Sequence, residues 1–96
     1  MEEIQLSCSI VLPAPLRDFA GGRSSLEATG DTVGALLREV GAEYGPLVDR
    51  ILGPDGGLRS SVNVYLNEKD IRYLGGLDTA VSDGDELVLV PAIAGG

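Results

Sequence analysis

Asp31-Thr32-Val33-Gly34-Ala35-Leu36-Leu37-Arg38-Glu39-Val40-Gly41-Ala42-Glu43-Tyr44 is the stretch that carries a sustained helical period. Its apolar residues fall at Val33, Leu36, Leu37, Val40 and Tyr44, offsets of 3, 4, 7 and 11 that make one stripe along a helix. Arg38, Glu39 and Glu43 take the solvated side. Asp31 or Thr32 supplies a side-chain oxygen for the first free backbone N–H groups, so the helix starts there. Gly45-Pro46 closes it, and Leu47, Val48, Ile51 and Leu52 suggest a short second helical turn.

On either side of this helix the period changes to two. Ile4, Leu6, Cys8, Ile10 and Leu12 alternate with Glu3, Gln5, Ser7, Ser9 and Val11, as in a half-buried strand ended by Pro13 and Pro15. Leu16 and Phe19 precede Gly21-Gly22, which reads as a turn into a second strand around residues 24–28 with Leu26 inward. Beyond the loop Gly53-Pro54-Asp55-Gly56-Gly57, Val62, Val64 and Leu66 alternate with Asn63, Tyr65 and Asn67. A short strand is expected over 71–74, broken by Gly75-Gly76, with Leu77 and Val81 as core anchors and Asp83-Gly84-Asp85 as a tight turn. Leu87-Val88-Leu89-Val90, ended by Pro91, is the final strand. One amphipathic helix over one mixed sheet of four to five strands, with a short second helix, is an α+β fold.

The final strand departs from the alternation because its four residues are all apolar. Either it lies centrally with both faces covered, or a partner covers its second face. The parity of four apolar residues leaves open which of Leu87 or Val88 faces outward; that residue, with Tyr65 and Tyr73, is a candidate contributor to such a docking face, and Arg72 is a candidate for pairing with a partner's acid.

Composition narrows the function. Ninety-six residues fit a single domain over 1–96, with a C-terminal tail over 91–96. The aromatics are Phe19, Tyr44, Tyr65 and Tyr73, with no Trp, so Val, Leu and Ile must build the core. Fifteen acidic and seven basic residues give a net charge of −8, which disfavours nucleic acid and anionic membranes and suits protein partners. No apolar run reaches the length of a membrane span and no basic leader opens the chain, so a cytoplasmic protein is expected. The chain has no His, which excludes His-dependent nucleophilic triads and dyads, and no phosphate-binding loop with its Lys. Cys8 falls on the apolar parity of its strand and reads as an inert buried thiol. Asp83 and Asp85 lack the spacing of a calcium loop, so no metal site is expected.

What remains is the ending Pro91-Ala92-Ile93-Ala94-Gly95-Gly96, uncharged in every side chain and slim at its close. Glycine has no Cβ, so a Gly-Gly end threads into a narrow enzyme site.

Val62-Asn63-Val64-Tyr65-Leu66-Asn67, Asp83-Gly84-Asp85-Glu86-Leu87 and this ending together resemble the MoaD/ThiS sulfur-carrier family, over essentially the whole chain. Asp70-Ile71-Arg72-Tyr73, Gly75-Gly76-Leu77 and the Pro-Ala-Ile-Ala-Gly-Gly ending carry a narrower likeness to the CysO-type carriers within it. The resemblance implies a ubiquitin-like β-grasp fold and a protein that is not itself an enzyme. It implies that an E1-like adenylyltransferase activates the Gly96 carboxylate with ATP, and that a sulfur donor then converts it to a thiocarboxylate. Gly95 and Gly96 would carry the sulfur, with Pro91, Ala92, Ile93 and Ala94 as the thread. The acceptor would be a sulfur-accepting synthase, which uses PLP if the pathway is cysteine biosynthesis; the carrier itself binds no cofactor. Two other acceptors fit the same carrier, molybdopterin synthase and a pathway to a thio-containing secondary metabolite. A ubiquitin-like modifier joined to lysines through Gly96 is a reading of another class, as is an interaction domain with an incidental Gly-Gly end.

Overall fold

Alternation places Cys8, Ile10 and Leu12 on one side of the first strand, and all three are buried. The structure is a computed structural model that describes residues 7–91. Ile4, Leu6 and the tail residues Ala92, Ile93, Ala94, Gly95 and Gly96 lie outside the described residues.

The first strand, β1, is Ser7–Val11. Pro13 ends it and starts α1, Ala14–Arg17, which continues into a 3-10 turn at Asp18–Ala20. This segment was expected only as a turn; it instead folds Leu16 and Phe19 onto the core edge. Gly21 and Gly22 then reverse the chain with φ of +66° and +84°. β2, Ser25–Thr29, returns antiparallel to β1, with Leu26 and Ala28 buried.

The helix α2, Val33–Glu43, begins where the sequence places it. Of the two candidate caps it is Thr32 whose side chain accepts from the Ala35 N–H, at 3.1 Å. Val33, Leu36, Leu37 and Val40 are buried beneath it. Pro46 not only closes this helix but opens α3, Gly45–Asp49, where its missing N–H costs nothing in the first turn.

β3, Val62–Leu66, buries Val62, Val64 and Leu66. The expected strand over 71–74 is displaced: β4 is Lys69–Asp70, and Ile71–Tyr73 is a 3-10 turn. The cause is a two-residue hairpin loop, Asn67-Glu68, with φ of +49° and +77°. That tight reversal pairs Leu66 with Lys69 at once. The Asp70 carboxylate then accepts the Arg72 N–H at 2.8 Å and caps the 3-10 turn.

Leu77 is partly buried and Val81 buried, as core anchors should be. The Asp83-Gly84-Asp85 turn is held by its own carboxylates. Asp83 accepts the Ser7 N–H at 2.9 Å, and Asp85 accepts from the Ser82 N–H at 2.7 Å and the Asn67 side chain at 2.9 Å.

β5 is Glu86–Pro91, and the sheet order is β2-β1-β5-β3-β4. β5 runs parallel to β1 and antiparallel to β3, so the last strand lies at the centre of the sheet. Among the described residues, a mixed five-stranded sheet holds one long helix across a single face, which is the ubiquitin-like β-grasp fold.

Candidate functional site

The site is built on the end of β5, because the chain's candidate reactive tail continues from it. The strand is both central and one-faced. Leu87 and Leu89 are 0% and 1% exposed against the helix, whereas Val90 is 37% exposed and Val88 half-buried on the opposite face. The continuous apolar run therefore does not mean cover on both sides among the described residues. It also corrects one candidate: Leu87 points into the core and offers nothing to a partner.

Register assembles the open face. Val88 sits between Val11 on β1 and Tyr65 on β3, forming one row across three strands. Val11 and Tyr65 are both half-buried. Asn63 and Val90 form the next row toward the strand's end, and Val62 pairs with Pro91. Pro91 thus belongs to the sheet, although the sequence suggested that it ends the strand. Pro91 has no N–H to give to the ladder.

Arg72 fastens the β3 residues opposite this end. Its guanidinium donates to the Asn63 side-chain oxygen at 2.7 Å, to the Val62 carbonyl at 2.9 Å and to the Arg59 carbonyl at 3.0 Å. Asn63 faces Val90 and Val62 faces Pro91. None of the three acceptors is a carboxylate, so these contacts orient the charge without neutralising it. Tyr73 follows it and is 87% exposed, with Leu74 at 43%, so the same turn presents apolar surface to solvent.

Asn63, Val11 and Val90 belong to this face although they were not among the expected docking residues. Their signal was present. Asn63 has the same parity as Tyr65, and Val11 is the apolar exception among the polar odd positions Ser7 and Ser9. Only pairing between strands brings them together.

The described residues supply no chemistry of their own at this place. Cys8 is 1% exposed, and its Sγ donates to the Ser82 carbonyl. Burial, followed by the nearby Asp85 and Asp83 carboxylates, pushes its pKa up, so the nucleophilic thiolate is suppressed. No group of three or more His, Cys, Asp or Glu among the described residues is arranged to hold a metal. No helix among them is long and apolar enough to cross a membrane. Gly95 and Gly96 lie outside the described residues, as does the thread Ala92, Ile93 and Ala94 that leads to them.

Comparison with known proteins agrees with this architecture. The chain is 40% identical over 93 residues to the sulfur carrier protein CysO of Mycobacterium tuberculosis, covering 95% of this chain and 100% of that protein. It is 38% identical over 85 residues to small archaeal modifier protein 3 of Haloferax volcanii, covering 86% and 91%. The crystal structure of the Amycolatopsis orientalis BexX/CysO complex contains a chain that matches with a TM-score of 0.85 at 37% identity, covering 93% of this chain and 99% of that one. The family model described as the ThiS family matches residues 10–96, so the chain belongs to the ThiS family.

Proposed function

We propose that this chain is a sulfur carrier whose Gly96 carboxylate is the reactive group. The observation that carries the reading is the open apolar row Val11-Val88-Tyr65 on the central strand from which the tail continues. A partner that docks on this row receives the tail in a fixed direction, because β5 is paired on both sides up to Val88 and to β3 as far as Pro91. The names of the relatives support the same reading, since CysO is called a sulfur carrier and the BexX/CysO structure holds such a protein with a partner.

In the proposed chemistry, an E1-like adenylyltransferase lets a Gly96 carboxylate oxygen attack the α-phosphorus of ATP, and pyrophosphate leaves. Carboxylate is a poor electrophile, and the acyl-adenylate has AMP as its leaving group. A sulfide-level donor then attacks the carbonyl carbon. The C–O bond to AMP breaks, a proton is released, and a thiocarboxylate remains. This chain supplies position and a slender end, while the catalytic groups belong to the partner. Sulfur delivery to a cysteine synthase that acts on an activated serine, with PLP in that synthase, is the acceptor reaction we favour from the CysO likeness.

Intact mass of the protein from its native cells tests the reading. Replacement of one terminal oxygen by sulfur is expected, and incubation with ATP, an E1-like enzyme and sulfide should restore it to protein that lacks it. Gly96→Val and deletion of Gly96 should abolish loading with an unchanged unfolding midpoint; normal loading of either overturns the proposal. The likeness to a small archaeal modifier supports a second reading, in which a lysine amine attacks the same activated carbonyl. Recovery of the chain in isopeptide linkage to other proteins from the same cells would favour it.

A further inference from the structure

The other edge of the sheet has a construction that the tail chemistry does not use. Among the described residues β2 is an edge strand, with no neighbouring strand on one side of its backbone. The ladder identifies which groups are left over. The Leu12 N–H donates to the Ser24 carbonyl, which makes Ser24, Leu26 and Ala28 the residues that bond to β1. Ser25, Glu27 and Thr29 therefore turn their N–H and C=O groups outward. Thr29 shows this directly, since its N–H is taken by the Glu39 carboxylate of α2 at 2.7 Å. Among the described residues, no other element bonds to the Ser25 or Glu27 backbone.

Beside these open groups lies a groove of about 490 Å³ between β2 and the C-terminal half of α2. Its apolar lining is Leu26, Val40 and Tyr44. Glu27, Glu39 and Glu43 line it as acids, against a single basic residue, Arg23, at the Ser25 end. Open backbone along one wall, an apolar lining and an acidic rim are the parts of a strand-addition site.

We infer that this groove takes an extended segment of a partner protein, which adds to β2 as a sixth strand and carries Lys or Arg beside apolar residues. Its backbone bonds to Ser25 and Glu27. Its apolar side chains enter between Leu26, Val40 and Tyr44, and its cations meet Glu27 and Glu43. A second copy of this chain is the poorer occupant. Pairing two β2 edges would set the acids of one copy against those of the other, on chains that each carry a net charge of −8. The inference does not rest on the tail chemistry: Ser25 continues the Val11-Val88-Tyr65 row, but the proposed contacts use the outer backbone edge of β2 and the groove beside α2 rather than Val88 or the tail.

The test is backbone-amide NMR of the full chain at low salt, titrated with a blocked peptide that alternates valine and lysine. Saturable shifts and new exchange protection are expected at the Ser25 and Glu27 amides, with shifts at Val40 and Tyr44. The double variant Glu27→Lys/Glu43→Lys should weaken binding about tenfold while keeping the wild-type unfolding midpoint. A peptide methylated at its backbone nitrogens should not bind, a control that does not depend on any variant folding. The inference is overturned if the Ser25 and Glu27 amides do not respond. It is equally overturned if a valine–glutamate peptide binds as well, or if those amides shift with protein concentration in the absence of peptide.

Discussion

Leu87 and Val88 are neighbours in sequence with opposite roles, and nothing in their chemistry assigns them. Register does: Leu87 pairs with Ile10, which is 1% exposed, and Val88 pairs with Val11 and Tyr65 on the open face. The two residues should therefore separate stability from partner binding. Leu87 is 0% exposed, and Leu87→Ala should cost about 2–5 kcal/mol, a large share of a small domain's stability. Val88→Ala removes a half-buried side chain and should cost about 1 kcal/mol or less. Urea midpoints measure this contrast. Under the proposed function, the loading rate with the adenylyltransferase should fall for Val88→Ala at temperatures where both variants remain folded. A Val88→Ala protein that loads at the wild-type rate would show that the open face does not dock the adenylyltransferase.

At the scale of elements, the parts written by periodicity were legible and the parts written by pairing were not. α2 could be read because its stripe repeats over three turns and Thr32 is a suitable cap. β1, β2 and β3 could be read because one face of each is apolar. α1 spans four residues, too few to show a period, and its Pro at the helix start resembles a strand terminator. β4 was misplaced because Asn67-Glu68 lacks the glycine that usually marks a two-residue reversal. Asn67 suits its positive φ, and its side chain also ties the turn to β5, donating to Asp85 and accepting the Glu86 N–H at 3.1 Å. Glu68 has a Cβ at a φ of +77°, where an L-residue loses about 1–2 kcal/mol. Glu68→Gly should relieve that strain, partly offset by the greater freedom of glycine in the unfolded chain, for a net gain of about 0.5–1 kcal/mol. A raised urea midpoint at unchanged slope is the expected result, and a lowered midpoint would show that Glu68 is not strained. The site was legible to the same extent. Tyr65 and Asn63 follow from β3 parity, whereas the face of β5 could not be assigned from four consecutive apolar residues.

The whole molecule is organised around one cluster of buried residues that draws on β1, β2, β3, β5, α2 and α3. The parallel pairing of β1 with β5 joins the two ends of the described chain at the middle of the sheet. Arg59, in the loop before β3, accepts from Arg72 and donates its own Nε–H to the Asp49 carbonyl, which links that loop to α3. β5, the last described element, lies between β1 and β3 and joins the two halves of the sheet. Unfolding should therefore be a single cooperative transition. Tyrosine fluorescence provides a suitable tertiary probe, since the chain has no Trp and Tyr44 packs partly against the core. Tyr73, at 87% exposure, should contribute little change. The fluorescence transition in urea should coincide with loss of far-ultraviolet circular dichroism in both midpoint and slope. Two separate midpoints would mean that the β3–β4 hairpin and its 3-10 turns melt apart from the helix layer. The Arg72 clamp would then be a local fastening of the tail's root, and the docking face could loosen while the rest of the protein stayed folded.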